Sequence, residues 1–152
     1  MRLVVDTSVL VGELLRTKGR ERLADERLDL FLPERMWGEV QIEPPRRIAA
    51  FARRRGLTHA TRDGLTALSL EAVRTNMVVI EVAVYSALEE EARARSRRDP
   101  DDWPVVACAL ALTAGVWTND NDFLGTGIPT WTTDTLQDWL ARHPPPAEKA
   151  RG

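Results

Sequence analysis

The chain has 152 residues, 43% of them hydrophobic and 29% charged, with a net charge of −2. That length fits one domain, and the composition excludes a wholly disordered, collagen-like or fibrous protein. No apolar run approaches the ~18 residues of a membrane span, and the segment Met1–Asp6 meets an acid too early for a signal peptide.

Leu3-Val4-Val5 reads as a buried strand ending at Asp6. Thr7 or Ser8 is expected to cap a following helix with Val9, Leu10, Leu14 and Leu15 on one face and Gly19 near its end. Residues 28–32 read as a second strand stopped by Pro33. A helix over 33–43 is expected to break at Pro44-Pro45, because proline removes an amide donor and restricts the residue before it. A separate helix over 46–55 then turns Ile48, Ala49, Phe51 and Ala52 inward and its arginines outward, ending at Gly56.

Further helices are expected over 61–74, 86–98 and 102–114. Residues 77–82 form the clearest strand, and 116–118 and 130–132 two short ones. Thr133 or Asp134 caps a last helix through Ala141. Residues 143–152, with their Pro144-Pro145-Pro146 run, read as a disordered tail behind one domain over 1–142. Alternating strands and helices predict an α/β fold, a parallel sheet of four or five strands with helices on both faces.

The small net charge hides an asymmetry. Residues 45–62 hold six arginines (46, 47, 53, 54, 55 and 62) and no acid, whereas 99–122 hold five aspartates and no base. Acid plus arginine in separate blocks suits a metal site beside a polyanion. In a parallel sheet ligands bind beyond the carboxyl ends of the strands. Asp6 follows the first strand, Asp120 and Asp122 follow the strand at 116–118, and Asp102 opens the helix leading into it.

Clustered carboxylates repel and raise one another's pKa. A hard cation such as Mg²⁺ or Mn²⁺ relieves that repulsion and suits phosphodiester hydrolysis. The lone Cys108 precludes an internal disulfide and points to a reducing cytoplasm. With only His59 and His143, zinc clusters and histidine triads are excluded.

Val4-Val5-Asp6-Thr7-Ser8, Asp99-Pro100-Asp101-Asp102-Trp103-Pro104 and Thr118-Asn119-Asp120-Asn121-Asp122 together resemble PIN domains, in order and spacing, over nearly the whole chain. The resemblance implies a PIN-like fold and an Mg²⁺- or Mn²⁺-dependent ribonuclease. It further implies a VapC-like toxin of a type II toxin–antitoxin pair, acting on RNA as a homodimer with a cognate antitoxin.

By motif position Asp6, Asp102 and Asp120 match metal ligands, with Asp122 an additional acid. Glu39 matches the acid on the helix after the second strand, with Glu43 one turn later as the alternative. Asp99 or Asp101 could replace Asp102. Ser8 and Thr118 match supporting polar residues.

Plainer readings stand beside these. Asp101 is the better candidate for a simple helix cap, and Asp122 for a turn residue. Cys108 reads as core. The arginine run is either a solvated helix face or a phosphate-contacting surface, with Arg46, Arg47, Arg53 and Arg54 its candidates. Trp103 is the tryptophan best placed to stack on a base.

A receiver-type domain is disfavoured because Lys18 and Lys149, the only lysines, are misplaced. A haloacid-dehalogenase-like phosphatase needs a second aspartate where Ser8 stands. The remaining alternative is a non-catalytic RNA- or protein-binding module on a PIN-like fold.

Overall fold

The structure, a computed structural model, describes residues 1–145; most of the expected tail lies outside the described residues. Three consecutive apolar residues suit a strand covered on both faces, and Leu3, Val4 and Val5 are fully buried in β1 (Arg2–Val5). β1 pairs in parallel with β2 (Asp29–Pro33) on one side and β4 (Gly115–Trp117) on the other. β3 (Met77–Ile80) adds to β2, and β5 (Thr130–Trp131) adds to β4. The order is β3-β2-β1-β4-β5 and every pairing is parallel. The chain therefore reverses its direction of growth between β1 and β4.

Strand alternation sorts the core into two layers. Leu3, Val5, Leu30 and Leu32 meet α1 (Thr7–Leu14), α2 (Thr17–Leu23), α3 (Glu34–Arg55), α4 (His59–Asn76) and α8 (Thr133–Arg142), through Leu10, Leu23, Val40, Val73 and Leu136. Val4 and Val116 face the other way. They pack on α5 (Val82–Tyr85), α6 (Glu89–Arg95) and α7 (Trp103–Leu112), through Tyr85, Ala92 and Val106. Each fully buried Leu or Val contributes roughly 1.5–3 kcal/mol.

Several boundaries differ from expectation. The helix does not break at Pro44-Pro45: α3 runs unbroken for 22 residues. Val40, Pro44, Ile48 and Ala52, four apart, form one buried stripe across the prolines, so packing outweighs the lost backbone bonds. Phe51 lies off that stripe and is 39% exposed rather than inward.

Gly19 lies inside α2 instead of ending α1. A Cβ there would fall 2.2 Å from the Glu13 carbonyl oxygen, so only glycine allows this close crossing. The Glu13 carboxylate pairs with Arg22. Residues 86–98 are a 3-10 turn (Ser86–Leu88) followed by α6, which stops at Arg95. The cap of α8 is Thr132, not Thr133 or Asp134; it shares reciprocal hydrogen bonds with Thr135. No helix among the described residues is long and apolar enough to cross a membrane.

Candidate active site

The reversal point between β1 and β4 is where a parallel sheet opens a crevice at its carboxyl edge. Val5 pairs with Trp117, so the residues leaving the two strands emerge side by side, and the Asp6 amide donates to the Trp117 carbonyl at 3.0 Å. Asp6 is 8% exposed and its carboxylate is held by two hydroxyls. Ser8 Oγ donates to its Oδ2 at 2.5 Å and Thr118 Oγ1 at 2.9 Å. Both bonds fall on Oδ2.

Thr118, fully buried, also accepts from the Asp120 amide at 2.9 Å. The Asp120 carboxylate accepts from the Asp122 amide at 2.9 Å, which fixes the turn. Thus Asp6 occupies the N-cap position of α1 and neither Thr7 nor Ser8 caps the helix; the Ser8 hydroxyl is turned to Asp6 instead.

The acidic segment before α7 folds as a 3-10 turn over Pro100–Asp102. Asp99, not Asp101, does the capping: its side chain accepts from the Asp101 amide at 3.0 Å. The Asp101 side chain is 97% exposed and lies 3.8 Å from Arg93. Asp102 begins α7 without a capping bond and is partly buried. Burial above all, and then the carboxylates of Asp99, Asp6, Asp120 and Asp122, push its carboxyl up to about 7.

From the facing wall, α3 brings Glu39 and Glu43, one turn apart. A cleft of about 380 Å³ is lined by Asp6, Glu39, Glu43, Asp99, Asp101, Asp102 and Asp120, with Thr7, Ser8, Val11, Met36 and Arg47. Asp122 lines the adjoining depression beside Asp120 and Ser8, 3.6 Å from Arg98.

The donor set is all oxygen, the set that hard divalent cations prefer. Among the described residues no three acidic, histidine or cysteine side chains already converge as ligands around one point. The raised carboxyl of Asp102 reflects its burial first and the neighbouring carboxylates second. Mg²⁺ keeps several waters and needs few direct protein ligands. The lining of the cleft is compatible with such an ion, and Asp6, Asp102 and Asp120 are residues that could hold it.

Other expected residues separate from the cleft. Arg46 is exposed, 3.9 Å from Glu43, and Arg53 lines a separate cavity at the α3–α4 corner with Arg62 and His59. Arg54 is exposed on α3. Trp103 is 3% exposed, packed against Tyr85 and flanked by Arg35 and Arg93, so it is not available to stack on a base. Cys108 is fully buried in the core, and burial pushes its thiol up to about 12, which rules it out as a nucleophile.

Thr7, expected as a cap, lines the cleft instead, and its buried hydroxyl has no hydrogen-bond partner among the described residues. Its adjacency to Asp6 was the available signal. Nothing local signals the pairing of Arg98 with Asp122.

No curated protein sequence matches the chain. A solved structure described as FitAB bound to an IR36 DNA fragment shares the fold, with a TM-score of 0.55 at 18% identity, covering 87% of this chain and 94% of that one. The family model described as PIN domain runs over residues 4–141, from the strand that leads into Asp6 to the last helix, and the chain therefore belongs to the PIN domain family.

Proposed function

We propose that this PIN domain is a divalent-metal-dependent endoribonuclease. It hydrolyses RNA phosphodiesters in the cytoplasm as the toxin of a type II toxin–antitoxin pair, working as a homodimer. The observation that carries the nuclease reading is the lining of one cleft: seven carboxylates and a single basic residue, Arg47. So dense an acid cluster is costly unless a cation binds it. A phosphodiester is the substrate whose charge a cation would then attract.

An Mg²⁺ or Mn²⁺ ion held there would supply charge to the phosphate and would acidify a neighbouring water. The chain's own residues do the rest. Ser8 and Thr118 fix the Asp6 carboxylate through Oδ2, so Asp6 would hold the ion through its other oxygen. Asp102 and Asp120 complete the holding set, with Asp122 an outer acid. Glu39, with Glu43 beside it, stands across the cleft and accepts the proton of the attacking water. The phosphorus–oxygen bond to the leaving strand breaks as that water adds. Arg47 at the cleft, and Arg46, Arg53 and Arg54 outside it, are the candidate phosphate contacts. The antitoxin and dimer assignments rest on the family resemblance.

The test is cleavage of a mixed structured and unstructured RNA pool, with a single-stranded DNA pool in parallel, by wild type and Asp102→Asn. Each is assayed with Mg²⁺, with Mn²⁺ and with EDTA. RNA cleavage that needs metal and is lost in the variant supports the proposal. Full activity in EDTA or in Asp102→Asn overturns it.

A further inference from the structure

The unbroken course of α3 across Pro44-Pro45 aligns its two halves in one register, and that alignment separates the four candidate arginines. Seven residues make almost two turns, so Arg47 and Arg54 have nearly the same bearing on the helix, about 20° apart at 3.6 residues per turn. Glu43 and Arg47 both line the acidic cleft. The line Glu43, Arg47, Arg54 therefore leads out of the cleft along α3, with Ala50 on one side and the exposed Phe51 on the other between the two arginines. Arg46 and Arg53 lie on a neighbouring line. Arg46 is partly neutralised by Glu43 at 3.9 Å, and Arg53 turns to the cavity beside His59 and Arg62. Arg55 is rotated about 100° from Arg54 and its guanidinium lies 5.7 Å from the Phe51 ring.

We propose that this line is the path by which one side of the RNA strand leaves the cleft, with Arg47 and Arg54 each taking a backbone phosphate. The inference rests on the nuclease reading and adds a direction and a length to it. The two positions are about 10 Å apart along the helix at 1.5 Å per residue. That separation is roughly three stacked nucleotides at ~3.4 Å each. Residues 45–62 contain no acid, so nothing within this segment opposes the strand's charge. Bases along the path make no required contact, which makes this part of recognition indifferent to sequence.

The test compares Arg54→Ala with Arg55→Ala, two neighbouring substitutions that remove the same charge from the same exposed helix end. Synthetic RNAs are extended or trimmed on either side of the mapped cut. Binding is measured with the Asp6→Asn background and cleavage with the otherwise wild-type chain.

Arg54→Ala is expected to weaken binding of long RNA about fivefold and to lower the salt slope by about 0.7 for one lost single-strand phosphate contact. The loss shrinks when RNA is trimmed to fewer than about three nucleotides on one side of the cut, and only that side. Arg55→Ala is expected to stay within twofold of wild type. Equal losses in the two variants, or a loss that ignores RNA length, overturn the path while leaving the nuclease intact. A wild-type chain that neither cleaves nor binds RNA overturns both.

Discussion

One hydroxyl joins the two strand ends of the site. Thr118 Oγ1 donates to Asp6 and accepts from the Asp120 amide, so it sets the distance between two carboxylates 114 positions apart in sequence. Thr118→Val keeps the shape and removes both bonds. Cleavage is expected to fall about 10–100-fold and stability by about 1–3 kcal/mol, the cost of an unsatisfied buried group. Thr118→Ser is expected to recover most of both, as read by kcat/KM and thermal melting.

Asp102 gives a second prediction at this scale. Its folded pKa of about 7 stands above the ordinary 3.8. Its contribution to stability is therefore present below pH 3.8 and is lost as pH rises toward 7. Without metal, Asp102→Asn is expected to melt close to wild type at pH 4 and above it at pH 8. Added Mg²⁺ or Mn²⁺ reverses the order by stabilising wild type, more at pH 8 than at pH 5. Melting curves at these pH values, with and without metal, check both. Which of Asp99, Asp101 and Asp102 faces the cleft partly buried was not legible in sequence. It depends on the 3-10 turn, which consumes the Asp99 side chain as a cap and turns Asp101 to solvent.

At the scale of elements, the strands were the legible part. Leu3-Val4-Val5 and 77–80 are short apolar runs and both form parallel strands, the first buried on both faces and the second at the sheet edge with Val78 and Val79 exposed. Helix ends were less legible because they depend on contacts distant in sequence. The expected break at Pro44-Pro45 follows from local rules and fails because Val40, Pro44, Ile48 and Ala52 are buried together. Gly19 reads locally as a terminator and serves instead as a crossing point against Glu13.

The end of α7 carries an open strain. Thr113 adopts φ 51°, ψ 48°, a left-handed conformation that β-branched residues resist. Thr113 is exposed, so Thr113→Gly is expected to raise stability by about 1 kcal/mol. That gain raises the melting temperature by about 2–4 °C for a domain of this size, with cleavage unchanged. A lower melting temperature would show that the threonine side chain stabilises this turn.

At the scale of the whole molecule, the sheet order places the site. Growth from β1 through β2 to β3 on one side, and through β4 to β5 on the other, opens the carboxyl edge where Asp6 and Thr118 leave their strands. Alternating elements made a parallel sheet legible, and with it the placement of Asp6, Asp102 and Asp120 around one cleft. The bearing of α3 was not legible, because a helix assumed to break after Glu43 gives no register between Arg47 and the acids.

The whole fold is thus organised around one acidic crevice, and the most direct test is to locate a cation in it. Crystals of the wild-type chain soaked in Mn²⁺ would be measured for anomalous scattering. The expected result is a peak within direct or water-bridged reach of Asp6, Asp102 and Asp120, absent from an Asp6→Asn crystal treated alike. Manganese bound only elsewhere, or bound in the crevice equally without the Asp6 carboxylate, would contradict the assignment of this site.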